Sequence, residues 1–271
     1  MRGFLKKMTT KLADPVNYYL PLGEDEFHLN PYIGQPIQLI YHNQIQCQHC
    51  GRAAKKSFSQ GYCYPCFKKL AQCDLCIMSP ERCHFDQGTC REPEWAKGFC
   101  FQDHIVYLAN SSGVKVGITR PSQIPTRWID QGAVQGLPIF SVSTRQISGL
   151  VEVIFKKHIS DKTHWQRMLK SANEEVDLVA LRETLLDKVS DEIIALQNRF
   201  GLQAIQPITH LDTQSISYPV NTYPTKVTSK NFDKMPVIEG TLMGIKAQYL
   251  IFDTGVINIR KFTGYDVELL V

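Results

Sequence analysis

The spacing Cys47-x2-Cys50-x12-Cys63-x2-Cys66 carries the most direct chemical implication in this sequence. Each Cys-x2-Cys pair can turn as a knuckle that presents two sulfurs to one ion. Two such pairs across a short hairpin close a tetrahedral four-thiolate zinc site. Gly51, directly after Cys50, suits the tight turn that aims backbone amides at a sulfur. A site of this kind is structural, because no coordination position remains for a substrate. A redox dithiol shares the motif, but the doubled pair favours metal. Downstream, Cys73, Cys76, Cys83 and Cys90 supply four more thiols, the simplest ligand set for a second zinc. An iron–sulfur cluster would take the same ligands. Cys100 and His104 stand beside them as unassigned candidates.

All nine cysteines of the 271-residue chain lie between Cys47 and Cys100. An odd count without a secretory signal argues against a disulfide framework and for a reducing, cytoplasmic setting. The composition is 43% hydrophobic and 21% charged, as expected of a globular protein. No apolar run approaches the roughly 18 residues that would span a bilayer, so no membrane partner is expected. The formal net charge of +4 is modest, but its distribution is uneven. Arg52, Lys55, Lys56, Lys68 and Lys69 stand together without an acidic neighbour. Residues 104–170 hold nine Lys or Arg against three Asp or Glu, whereas residues 172–198 hold two against seven. A basic middle suits a polyanion, and solvated faces of differing sign suit the same pattern.

The elements that must position these residues are legible from periodicity. Residues 1–46 read as an N-terminal β segment, and 47–103 as a metal-dependent cysteine block. In 104–170, Ile105–Ala109 and Val114–Ile118 flank the turn Asn110-Ser111-Ser112-Gly113 as a hairpin. A short helix near Thr126, a third strand over Leu137–Val142 and a helix over Ser148–Ile159 follow. The helical segment 171–211 is dominated by an apolar stripe from Glu174 to Phe200, with Gly201 as its stop. Residues 212–271 read as a C-terminal β region. The β segments at the two ends could pair into one barrel-like unit.

Within this frame, Ile105-Val106-Tyr107, Lys115-Val116-Gly117, Arg127 and Glu152 occur in an order that resembles the GIY-YIG nuclease superfamily. Lys115 stands where the second tripeptide of that superfamily has tyrosine. The chain as a whole is similar to an uncharacterised bacterial family, a domain of unknown function that joins a zinc-binding cysteine block to such a core. That similarity rests on Cys-Gly-Arg (50–52), Gln-Gly-Tyr-Cys-Tyr-Pro-Cys-Phe (60–67), Gly-Thr-Cys-Arg-Glu-Pro (88–93), Lys-Val-Gly-Ile-Thr-Arg (115–120) and Arg-Trp-Ile-Asp-Gln-Gly-Ala (127–133). The nuclease resemblance implies catalytic roles for Tyr107, Lys115, Arg127 and Glu152. Glu152 would hold Mg2+, Arg127 would contact phosphate, Tyr107 would orient or deprotonate the nucleophile, and Gly117 would permit close backbone approach.

The expectation is therefore an α+β protein: a zinc-ribbon-like cysteine block, a small GIY-YIG-like core and β-rich ends. The function expected is nucleic-acid interaction, DNA or RNA, with Mg2+-dependent endonuclease chemistry. Arg52, Lys55, Lys56 and Arg120 are the candidate backbone-binding residues. A non-catalytic structural or protein-interaction protein on the same fold is the alternative. The sequence leaves the oligomeric state open.

Overall fold

The computed structural model describes residues 1–171 and 174–271. Residues 172 and 173, within the expected helical segment, lie outside the described residues. The chain opens with β1 (Arg2–Phe4), β2 (Thr9–Lys11), β3 (Asn17–Leu22), β4 (Asp25–His28) and β5 (Pro36–Ile45). The cysteine block contributes short helices α1 (Tyr64–Lys69), α2 (Leu75–Met78) and α3 (Pro93–Phe99). The centre comprises β6 (His104–Asn110), β7 (Val114–Thr119), α4 (Thr126–Asp130), β8 (Gln135–Val142) and α5 (Arg145–Phe155). Next come α6 (Trp165–Met168), α7 (Leu178–Phe200), β9 (Ile205–Pro207) and β10 (Gln214–Ser215). The chain closes with β11 (Val237–Lys246), β12 (Tyr249–Phe252), β13 (Gly255–Asn258) and β14 (Tyr265–Leu270). The protein is thus mixed α+β with β-rich ends and a cysteine cluster between.

The two ends share one antiparallel sheet in the order β1-β14-β5-β11-β12-β13. The expected pairing of the ends is present, as a sheet whose edges are β1 and β13. β2, β3 and β4 form a separate meander. In the central sheet, β7, β6 and β8 run in that order, and β9 and β10 both pair with β8. The expected hairpin is β6 against β7, with Tyr107 opposite Gly117.

Every residue of β6 is buried, because both faces of the central sheet are covered. Successive side chains of a strand point to opposite faces. Ile105, Tyr107 and Ala109 therefore join the core shared with the end strands. Val106 and Leu108 join a second core built with Val151 and Phe155 of α5 and Leu185 and Val189 of α7. A strand covered on both sides reads as a continuous apolar run, which is how this one reads in sequence.

Helix α7 begins four residues later than its periodicity predicts. Asp177 is the N-cap, its carboxylate accepting from the Ala180 amide at 2.9 Å. The preceding residues are claimed by buried amides of the central sheet. The Gln135 side chain accepts from Val176 N at 2.9 Å and donates to Val176 O at 3.1 Å. Asn110 Nδ2 donates to Glu174 O at 2.8 Å. Side-chain partners thus replace the first helical turn.

The cysteine block is clamped to the core through α5. A Cβ on Gly149 would stand 2.6 Å from Glu81 N and 2.8 Å from Pro80 Cβ, across the tight turn Pro80–Arg82. Gly149→Ala is therefore expected to lower stability by about 1–3 kcal/mol, as overpacking does. Urea unfolding checks it through a lower midpoint at unchanged slope. An unchanged midpoint would show that the block moves aside freely.

His104 starts β6 and is fully buried. Its Nδ1 lies 2.7 Å from Gln102 O, so that nitrogen carries the proton, and no hydrogen bond to Nε2 is found among the described residues. Burial pushes the imidazole down to about 4. The unfolded chain takes up this proton near pH 6.5 and the folded one does not. Stability therefore falls as pH drops from about 6.5 towards 4, by about 2 kcal/mol between pH 7 and pH 5. Unfolding midpoints at the two pH values, wild type against His104→Gln, measure this component. Equal pH dependence in both proteins would remove His104 as its source.

Candidate functional site

Four sulfurs gather where the sequence expects them. The Sγ atoms of Cys47, Cys50, Cys63 and Cys66 all lie within 4.8 Å of one another. Cys50 and Cys63 are 3.7 Å apart. Zinc with Zn–S bonds of about 2.3 Å requires S···S edges of about 3.8 Å, so this cage fits it. The knuckle closes through Gly51 N donating to Cys47 O at 2.9 Å and Cys47 N donating to Arg52 O at 2.9 Å. Gly51 adopts φ +68°, the left-handed turn expected of it. Cys63 doubles as the N-cap position of α1. Burial raises the Cys47 thiol, but the amides of Cys50, Cys63 and His49 outweigh it and lower that thiol to about 6. Burial and the neighbouring sulfurs push Cys66 up to about 12.

The second expected set is not gathered in the same way. Cys76, Cys83 and Cys100 line one small cavity, and Cys73 is not among the residues around it. Asp74, Cys76 and His84 place ligand atoms within 4.8 Å of one another.

A separate cleft of about 570 Å³ opens on the central sheet. Lys115 and Gly117 of β7, Arg120 just beyond it, Arg127 of α4 and Glu152 of α5 line it. Lys7, Arg145, Lys156, Lys162 and Arg260 bring its cations to eight, against Asp130, Glu152 and Asp161. A concave wall with an excess of positive charge concentrates anions. Ile77, Met78, Pro80 and Phe99 of the cysteine block form part of the wall. Phe99 carries the Arg120 guanidinium 4.4 Å above its ring.

Each catalytic candidate has a defined surrounding. Lys115 is nearly fully buried, and burial, reinforced by Arg127 and opposed by Glu152 and Asp161, pushes it down to about 8. Burial raises the Glu152 carboxyl, opposed by Lys156, whose Nζ lies 3.2 Å away. Lys156 also reaches Asp161 at 3.1 Å, so this ammonium sits between two carboxylates. Tyr107 lies beneath the cleft, fully buried, its hydroxyl donating to Gln131 Oε1 at 2.9 Å. Burial raises its phenol, opposed by Arg127. Gly117 serves this ring, because a Cβ there would stand 2.6 Å from the Tyr107 hydroxyl. The close approach the sequence associates with a ligand is thus, in the fold, an approach to tyrosine.

Of the four basic candidates, Arg120 lines the cleft. Arg52, Lys55 and Lys56 lie exposed on the cysteine knuckle, away from the cleft lining. Asp130, three residues after Arg127 at the end of α4, bonds to Lys7 Nζ at 2.7 Å and Gln248 Nε2 at 2.8 Å, tying α4 to the end strands. Sequence reading did not single out Lys7, Arg145, Lys156 or Arg260. Only Lys156 carried a local signal, standing four residues after Glu152 on the same helical face. Among the described residues no helix is long and apolar enough to cross a membrane.

Comparison with curated proteins finds no match, and comparison with solved structures finds none either. A family model described as "Protein of unknown function (DUF2797)" matches residues 34–267, from the turn before β5 to within β14. The matched span includes the four-sulfur cage and all the central-sheet cleft residues except Lys7, and on that coverage the chain belongs to the DUF2797 family.

Proposed function

We propose that the protein binds a phosphodiester backbone in the central cleft and cleaves it with a divalent metal, on a GIY-YIG-like core stapled by zinc. The observation that supports this reading is the convergence of Lys115, Arg127 and Glu152 in one cation-rich concavity, with Tyr107 directly beneath. They come from β7, α4, α5 and β6, in the chain order of the nuclease resemblance.

The chemistry follows from these groups. Arg127 offers a planar, permanently charged fork that suits two phosphate oxygens. Lys115, held in a desolvated wall, adds a charge worth more there than in water. Mg2+ needs one or two carboxylates plus substrate oxygens and keeps several waters. Glu152, with Asp161 one ammonium away, meets that need. Bound there, the ion would supply positive charge at the scissile phosphate and an acidified water. Tyr107, anchored on Gln131 and close enough to Arg127 for that charge to act on its phenol, supports the guanidinium from below. Zinc in the four-cysteine cage would supply folding energy to the stretch around it.

The Glu152–Lys156 pair favours the second reading, in which the cleft binds the backbone without cutting it. The test is a panel of single- and double-stranded DNA and RNA, with Mg2+ or with chelator. Cleavage that needs Mg2+ supports the enzyme. Salt-dependent binding without cleavage supports the binder. Neither cleavage nor salt-dependent binding would overturn both.

A further inference from the structure

The cavity bounded by Cys76, Cys83 and Cys100 has a volume of about 30 Å³. That is room for one water or one ion and for no organic ligand. Cys76 lies on α2, Cys83 follows the turn Pro80–Arg82, and Cys100 ends α3. Gly88, at φ +70°, turns the chain just before Cys90. Cys90 is not among the residues around the cavity, but its thiol follows that turn and its charge raises the Cys76 and Cys100 thiols. Cys73 is not among the residues around the cavity, and burial raises its thiol, opposed by Ser59 and Arg91 and reinforced by Cys47.

We infer that Cys76, Cys83, Cys90 and Cys100 form a second four-thiolate site for zinc, leaving Cys73 as the one cysteine outside both sites. The inference is independent of what the cleft does. Binding displaces four thiol protons to solvent and leaves a tetrathiolate complex of net charge −2. Arg145 is built to meet that charge. It lines the same cavity, its Nη2 donates to Ile77 O at 2.6 Å, and its backbone N donates to Cys100 O at 2.8 Å. Its Nε is buried with no hydrogen-bond partner among the described residues. A metal-bound thiolate is a suitable acceptor for that N–H, as in the shell around other metal centres.

The competing set is Asp74, Cys76 and His84. Asp74 is already engaged, and one of the two ring nitrogens of His84 is as well. The Asp74 carboxylate holds Arg91 at 2.6 Å and accepts from Leu75 N at 2.5 Å, while His84 Nδ1 lies 2.7 Å from Thr89 Oγ1. Four free thiols are also the softer set, and zinc in closed structural sites takes thiolates.

Metal analysis of the full-length chain, loaded with Zn2+ alone, is expected to give two zinc per chain. Cys100→Ser is expected to give one, and Cys73→Ser to keep two. Alkylation of the native zinc-loaded wild type, mapped by mass spectrometry, needs no variant to fold. Modification at Cys73 with Cys76, Cys83, Cys90 and Cys100 protected is the expected pattern. Cys100 reacting as fast as Cys73, or two zinc retained in Cys100→Ser, would overturn the site. Loss of the second zinc in His84→Ala with retention in Cys100→Ser would transfer it to the competing set and equally overturn the inference.

Discussion

Cys63→Ser is expected to cost the protein one metal ion and the fold of the knuckle around it. Cys63 is both a member of the four-sulfur cage and the residue from which α1 starts. Apparent binding free energies for structural zinc in small fingers are about 10–16 kcal/mol, and in such units metal binding is the folding energy. Between Cys47 and Lys69 the buried apolar residues are the two cage cysteines Cys47 and Cys63, so little else holds this stretch. The rest of the molecule keeps its own cores on both faces of the central sheet. The expected result is therefore local: protease cleavage within 47–70, zinc content lower by one, and retained far-ultraviolet signal from the sheets. A strong chelator added to wild type should reproduce the cleavage pattern. Protease resistance with full metal content in Cys63→Ser would mean that the cage does not hold the ion. Melting should also loosen the end strands where the knuckle touches them, at Gln48 Nε2 to Leu5 O (3.3 Å) and Ser57 Oγ to Thr263 O (3.3 Å).

On the proposed reading of the cleft, Arg127→Ala and Glu152→Gln are expected to lower the cleavage rate by about 10²–10³-fold each. That is the usual cost, roughly 3–4 kcal/mol, of removing one preorganised charge from a developing oxyanion. The two should fail differently. Arg127→Ala removes a phosphate contact, so it also weakens binding and flattens the dependence on salt by about one phosphate's worth. Glu152→Gln leaves the cations in place and should bind the backbone at least as tightly while losing its response to Mg2+. Full activity in both variants would remove these residues from the chemistry. If wild type binds without cutting, Arg127→Ala should still weaken association, and that result identifies the non-catalytic reading.

What was legible in the sequence was local. The Cys-x2-Cys pairs, the hairpin around Asn110–Gly113 and the apolar stripe of α7 are each specified within a few tens of residues. The four-sulfur cage forms as the spacing requires, because two knuckles on one hairpin have few other ways to close. The order Tyr107, Lys115, Arg127, Glu152 also carried real spatial information, since three of them line one cleft and the fourth underlies it. What failed to show was whatever depends on packing between distant segments. Lys7 and Arg260 reach the cleft only because the end strands lie against the central sheet, and no periodicity announces that. The start of α7 was misplaced because Gln135 and Asn110, far upstream, take the backbone groups a first turn would use. Cys100 was left unassigned because its neighbours are set by α3 and the turn after α2.

The sheet that joins the two ends of the chain sets an order of events during synthesis. β5 is flanked by β11 and β14, so both of its partners are translated roughly two hundred residues after it. When β5 emerges from the ribosome it has exposed edges and nothing to pair with. On the proposed zinc reading the cysteine block follows at once and closes its four-sulfur cage on the ion, and the β6–β7 hairpin needs no later segment. Metal capture can thus cap the nascent chain immediately beyond its unpaired strand, and the end sheet is completed last. A cell short of zinc would then lose more newly made protein than folded protein, and pulse-labelled aggregation under zinc limitation would register that difference.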